Sequence, residues 1–406
     1  MDLQNLQENY LCLLSYMGAQ HYSNQYIRFI DKEINWILNE SARYKWRNYD
    51  DVYRTYTKIW TNKHTQANRL RGLLVIKRFD LESKMPDGKK HNYRLSNYDF
   101  LCKEYKCFID TYRNIEKREI TTSYCKSIEY LACSFLLEMQ KKGIECLEQI
   151  TEKNVWGIFS KSGKLLKSYD YKYGVQVALK TCSSFYPNKI CLKILSYLPA
   201  IPNTRKNVQY LTAIEIEKIK FVLEEDSSIS LQNKAIGLLA FYTGLRSSDI
   251  AGLTFNKIDW QSDLIRIEQQ KTGAPLVLPL RTIVGNALFD YITKERPQST
   301  ENTIFLTVNA PYRKLHTTNL NAICVTLMNR AGIRNNPGDR KGFHLFRHHL
   351  ATTLLQHGIG QPVISSTLGH QSPKSLTSYL SADFSHLKEC ALSIDGFPAK
   401  KEVFQL

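Results

Sequence analysis

The stretch "GFHLFRHHLATTLL" (342–355) holds three histidines and an arginine within six consecutive positions, 344–349. Three chemistries fit it. His344 and His348 are four apart, so on a helix they share a face, as zinc ligands often do. His344 and Arg347 are three apart and share a face as well, which suits a phosphate oxygen. A helix merely rich in imidazole is the third reading. The rest of the chain has to choose among them.

Charge narrows the choice. The chain has 406 residues, with 55 Lys and Arg against 38 Asp and Glu, a formal net charge of +17. Such a surplus points to a polyanionic partner, and nucleic acid is the usual one. With 43% hydrophobic and 23% charged residues the composition is that of a globular protein, long enough for two or three domains. Its best apolar run, "AIGLLAFYTGL" (235–245), is far too short to span a bilayer, so no membrane partner is expected. The start, "MDLQNLQENY", carries acid and no basic segment, and the ten cysteines contain no CxxC pair. A reducing cytoplasmic setting follows as the expectation.

Periodicity divides the chain. Residues 1–95 read as helices: "YSNQYIRFIDKEINWIL" (22–38) puts Tyr26, Ile30, Ile34 and Ile37 on one stripe. The turn-rich "KMPDGKKHN" (84–92) breaks the pattern, and a second helical block follows, clearest at "SYCKSIEYLACSFLLEM" (123–139). In "SKSGKLLKSYDYKYG" (160–174), Lys161, Lys164 and Lys167 are candidate phosphate contacts, weighed against a simple solvated face. The same stretch misses the spacing of a nucleotide-binding loop, with Leu165 where Ser or Thr belongs. "YLPAIPNTRKNVQYLT" (197–212) reads as an extended basic linker in which Arg205 and Lys206 can follow a backbone. Beyond it, Thr212 caps a helix and "NKAIGLLAFYTGL" (233–245) is apolar almost all round. The alternating segments "KIDW", "LIRIEQQ" and "PLVLPL" then predict a three-stranded antiparallel sheet in an otherwise helical region.

Five short segments of this second half carry groups that can act on a phosphodiester. Arg246 in "TGLRSSDI" follows a Gly turn at a helix start, where its planar fork can meet phosphate, and Asp249 one turn on can hold a neighbouring side chain. Lys271 sits at a hairpin tip in "QQKTGAPL". His344 and Arg347 come next, then His370 in "TLGHQ", then Tyr379 nine residues further on in "SLTSYL".

In order, flanking words and spacing, these segments resemble the signature of the tyrosine recombinases, the family of lambda integrase, XerC, XerD and Cre. The resemblance covers roughly residues 212–385 directly. It decides the opening question against metal: a zinc-protease helix would carry Glu where Leu345 stands, and no third ligand cluster appears. It implies a mainly α fold with a small antiparallel β-sheet. A helical extension (1–95) would contact accessory DNA or a neighbouring protomer, and a helical, SAM-like core-binding domain (96–200) would follow. A basic linker (201–211), an α+β catalytic domain (212–385) and a C-terminal helix or tail (386–406) that docks on a neighbour would complete the chain.

The resemblance also implies roles. Arg246 and Arg347 would clamp the non-bridging oxygens, with His344 and His370 completing the cage, and Tyr379 would be the nucleophile. His344 would be its base and Lys271 the acid for the departing 5′ oxygen. The physical logic stands beside the family: a phosphodiester repels nucleophiles, and fixed donors at the oxygens where charge gathers lower the barrier. No cofactor, metal or ATP is called for, since ester is exchanged for ester and the cations are supplied by side chains. The partners implied are duplex DNA, three further copies of the chain in a tetramer, and accessory directionality proteins. The extra N-terminal length favours a mobile-element integrase, with a XerC/XerD-like resolvase, a type IB topoisomerase and a catalytically silent architectural DNA-binding protein as rivals.

Overall fold

The computed structural model describes residues 3–89, 96–115, 122–203, 209–370 and 376. Contacts divide the chain into two units, one formed by residues 1–89 with 207–406 and the other by 90–206. No described helix is long and apolar enough to cross a membrane.

The N-terminal block consists of α1 (Gln4–Ala19), α2 (Asn24–Tyr44), α3 (Tyr49–Ile59) and α4 (Lys63–Glu82). Ser23, Asn48 and Asn62 start the last three by accepting hydrogen bonds from main-chain N–H groups of the first turn. The apolar stripe of α2 does what its spacing predicts: Ile30, Ile34 and Ile37 are fully buried against Leu13, Met17, Val52 and Ile76. Two carboxylates lie in this small core, each with partners. Asp80 accepts from the Tyr49 hydroxyl at 2.7 Å, and Glu33 accepts from Tyr56 and Arg69 at 2.8 and 2.5 Å. The block joins the rest of its unit at the 311–313 loop, where Arg313 donates to the Gly88 carbonyl at 2.8 Å and Tyr312 stacks near His21.

The second unit contains α5 (Lys103–Asn114), α6 (Thr122–Gln140), α7 (Glu152–Phe159), α8 (Tyr169–Cys182) and α9 (Ile190–Ser196). Its core is built on Tyr105, Phe108, Phe135, Leu136, Met139 and Val175. Between α7 and α8 the chain makes a small hairpin, β1 (Ser160–Lys161) paired antiparallel with β2 (Lys164–Leu165). The lysine-rich spacing gave no hint of it, because two residues per strand are too few to show an alternation.

The remainder of the first unit carries the candidate site. Thr212 opens α10 (Ala213–Glu224), as the residue pattern predicts, and the structure adds a capping box with Glu215. Next, α11 (Leu231–Thr243) is buried on nearly every side, packed by α10, α13 (Thr282–Asp290), α14 (Thr317–Arg330) and α15 (His344–Gln356). Between them lie the five-residue α12 (Ser247–Ala251) and the sheet β3–β4–β5, formed by Ile258–Asp259, Leu264–Glu268 and Pro275–Pro279. The sheet is antiparallel throughout, with Ile265 opposite Leu278 and Ile267 opposite Leu276, all four facing the core. Phe346, fully buried, locks α15 onto α11 by an edge contact with Phe241. Replacing it with Ala would cost about 3–5 kcal/mol. The last helix among the described residues, α16 (Gln361–Leu368), ends at Gly369. The expected fold class, mainly helical with a small antiparallel sheet, is the one observed.

Candidate active site

Three helices begin at one place. Arg246 precedes α12, and Ser247 and Ser248 form its first turn; Thr317 is the first residue of α14; Phe343 precedes α15 and His344 starts it. All six of these residues line a cleft of about 230 Å³, joined by Leu245, Lys271 and Arg347. The starts of α14 and α15 add the partial positive charge of a helix N-terminus at the edge of the cleft. Two guanidinium groups and an ammonium add full charges. The arrangement is built for an anion.

The two arginines are fixed differently. Arg347 is only 2% exposed, a costly place for a cation. It donates to the carbonyl oxygens of Gly244 and Leu368, at the C-terminal ends of α11 and α16. Those ends carry partial negative charge, so they hold the guanidinium without supplying a counter-ion. Gly244 and Gly369 make this possible by ending their helices in the left-handed region, both at φ +62°. Arg246 donates instead to the side-chain oxygen of Gln269 at 2.6 Å.

Lys271 lies on the exposed turn between β4 and β5, where the N–H groups of Thr272 and Gly273 donate to the Gln269 carbonyl. Asp249, 4% exposed, accepts from the main-chain N–H of Gln270 at 2.9 Å. It therefore ties α12 to the backbone of the lysine turn, and it also accepts from the hydroxyl of the neighbouring Ser248 at 3.4 Å. His344 opens onto solvent, yet burial, and then Arg347, Arg246 and Lys271, push its pKa below the ordinary histidine value. The same causes, burial and then Arg347 and Arg246, take His370 down to about 4. Both rings are therefore neutral near pH 7, so either can accept a proton.

The neighbouring histidines are occupied in packing and capping. His348 stacks 5.8 Å from His344, one turn along, and burial takes its pKa to about 4. His349 lies against Phe241, and Nδ1 of His357 is 2.7 Å from the Thr353 carbonyl at the end of α15. Of the sequence-predicted residues, the structure gathers Arg246, Lys271, His344 and Arg347 into one cleft, with His370 close enough to feel both arginines. Tyr379, Arg205 and Lys206 lie outside the described residues. Lys161 and Lys164 are exposed on the β1–β2 hairpin, whereas Lys167 is paired with Glu138 at 2.5 Å. Gln269 escaped the sequence reading. Its signal was an amide at an inward-facing strand position after Ile265 and Ile267.

Comparison with known proteins agrees with this geometry. Residues 209–386 match the phage integrase family. A Sinorhizobium fredii protein named integrase/recombinase y4gC is 37% identical over 159 residues, which are 39% of this chain and 80% of that protein. The chain belongs to the phage integrase family. Members of this family of tyrosine recombinases include XerA of Pyrococcus furiosus, 27% identical over 194 residues, 47% of this chain and 63% of XerA. The chain thus spans less than two thirds of XerA while covering most of y4gC. Among solved structures, the XerH site-specific recombinase bound to a palindromic difH substrate shares the fold. It matches with a TM-score of 0.53 at 17% identity, over 74% of this chain and 98% of XerH.

Proposed function

We propose that this chain is a site-specific recombinase that cleaves and rejoins duplex DNA for a mobile element. One observation carries the reading: Arg246, Lys271, His344 and Arg347 share a cleft at which three helices begin. The name of y4gC as an integrase and the DNA bound to XerH support duplex DNA as the substrate.

In the proposed reaction the Tyr379 phenolic oxygen attacks a backbone phosphorus. The bond to the 5′ oxygen breaks as a 3′-phosphotyrosyl bond forms. His344, neutral in the free protein, takes the phenolic proton, and Lys271 donates one to the departing 5′ oxygen. Arg246, Arg347 and His370 hold the non-bridging oxygens as charge builds there, each fixed donor contributing about 3–4 kcal/mol. The reverse attack by a 5′ hydroxyl of the partner duplex restores the backbone and releases Tyr379. We assign residues 1–95 to an accessory contact region, 96–200 to core-site binding, 201–211 to a basic linker and 212–385 to catalysis. Residues 386–406 dock on a neighbouring copy in a tetramer.

The test uses a pool of nicked duplexes of randomised sequence, in which loss of the short 5′ fragment traps the covalent adduct. The full-length protein is expected to trap DNA on the peptide containing Tyr379, and Tyr379→Phe to trap none. An adduct formed by Tyr379→Phe, or mapped to another residue, overturns the assignment. Relaxation of supercoiled plasmid lacking the captured sequence would instead identify a topoisomerase.

A further inference from the structure

Gln269 occupies a position where an aliphatic residue belongs. It directly follows β4, next in the inward row after Ile265 and Ile267, and is 1% exposed. A buried amide is costly unless every polar atom is satisfied. Here the bonds run to three other parts of the cleft. Its oxygen accepts from Arg246 at 2.6 Å and from the Thr272 hydroxyl at 2.9 Å, beside Lys271. Its nitrogen donates to the Leu368 carbonyl at 3.0 Å, the same oxygen that receives Arg347. Leu368 and Gly369 lead directly to His370. A Cβ on Gly369 would come within 2.3–2.5 Å of the Gln269 amide, so the glycine leaves that amide its space.

The amide has one workable orientation. Flipped, it would aim N–H groups at a guanidinium and an oxygen at a carbonyl, two repulsions in place of two bonds. Glutamate fails for a related reason: it would bind Arg246 more strongly but cancel its charge and oppose the Leu368 carbonyl. A neutral group is needed whose acceptor and donor sit on separate atoms of one planar fork, as the amide of Gln provides; Asn has the same amide but is one methylene shorter.

We propose that Gln269 is a positioning residue that sets the guanidinium of Arg246 in register with Arg347 and with the turn bearing Lys271. It holds Arg246 without neutralising it. This rests on the recombinase reading of the cleft for its consequence in catalysis, though the hold on Arg246 does not.

Two measurements test it in the full-length protein. In single-turnover cleavage of the nicked duplex captured above, Gln269→Met and Gln269→Glu are expected to slow cleavage by roughly 100-fold, with DNA affinity within about threefold. In an Arg246→Ala background Gln269→Met should add less than about threefold, because its effect passes through the arginine. Equal losses in both backgrounds would mean a merely structural part and overturn the proposal. The second measurement is independent of DNA. With ¹⁵N-labelled arginine, the Arg246 side-chain resonance, assigned from Arg246→Lys, should show slowed guanidinium rotation in the intact protein and faster rotation in Gln269→Met. Identical rotation in both also overturns the proposal. Failure of the intact protein to trap DNA would remove the recombinase reading, while the rotation measurement still decides whether Gln269 holds Arg246.

Discussion

In the N-terminal block Arg69 reaches Glu33 at 2.5 Å and covers the Trp60 ring, its guanidinium carbon 3.5 Å from the ring centre. In the cleft, Arg347 rests on two main-chain carbonyls and Arg246 on an amide oxygen. Both regions immobilise arginine, but the first sets it against a carboxylate and the second, at Arg246, against a neutral amide oxygen. An ion pair with satisfied partners ties helices together and has little left for a ligand. Neutral acceptors fix geometry while leaving the field of the cation available to an incoming anion. The difference separates a cation that holds a fold from one that awaits a substrate.

The sharpest way to break this contrast is to remove one arginine from each region. Arg347→Ala is expected to lower single-turnover cleavage by roughly 1,000-fold, about 4 kcal/mol of transition-state stabilisation. A loss below tenfold, measured on trapped adduct, would show that the buried cation does not serve the reaction. Arg69→Ala should leave cleavage by folded protein unchanged and instead reduce stability. Breaking a buried pair costs about 3–5 kcal/mol, and with Arg69 21% exposed we expect about 2–3 kcal/mol. Urea unfolding followed by tryptophan fluorescence reads it, since Trp36, Trp46 and Trp60 lie in that block. No shift in the midpoint would mean Glu33 finds another partner.

The second unit offers the same contrast at a smaller scale. Lys167 is paired with Glu138, while among the described residues no ion pair holds Lys161 or Lys164. Replacing either exposed lysine with Ala should weaken DNA binding by about three- to fivefold and reduce the salt slope by about one. Lys167→Ala should change neither. Equal effects at all three positions in a salt titration would erase the distinction between paired and unpaired cations on the hairpin.

The smallest expected effect concerns pH. Burial, and then the positive charges of Arg347, Arg246 and Lys271, hold His344 below its ordinary value of 6.5. Its neutral, proton-accepting form therefore persists from pH 8 down to 6.5, and cleavage should change less than about twofold from this group over that range. The fall should come at lower pH, and Arg246→Lys, which keeps the charge, should leave its position nearly unchanged. An acid limb centred above 6.5 in the intact protein would contradict the crowding of positive charge at the cleft. Stability follows the same sign through His370, whose pKa is depressed to about 4. The unfolded chain takes up its proton first, so stability present above pH 6.5 is lost as pH falls toward 4.

Much of this was legible in the residues. Spacing of Ile30, Ile34 and Ile37 predicted the buried face of α2, and Thr212 predicted the start of α10. Arg246, Lys271, His344 and Arg347 were recognisable because each stands within a short word of turn and helix-start residues. The β1–β2 hairpin was not, since its strands are only two residues long. Gln269 was passed over because side-chain alternation says which way a residue faces and nothing about what it meets there. Asp249 was expected to hold a neighbouring side chain, and it accepts from the Ser248 hydroxyl, but its shorter bond, to the main-chain N–H of Gln270, could not be read from side chains alone.

What the sequence by itself determined is the inventory: a basic chain, helices of known amphipathic face, a small sheet, and phosphate-handling groups in a family order. Periodicity and local capping are properties of neighbours along the chain, so they survive without tertiary knowledge. Only the folded structure decided that three helix starts meet at one cleft, and that Arg347 is anchored by two helix ends more than 100 residues apart in the chain, at Gly244 and Leu368. Those arrangements depend on long-range packing of carbonyls and N–H groups, which every residue carries and no residue code distinguishes.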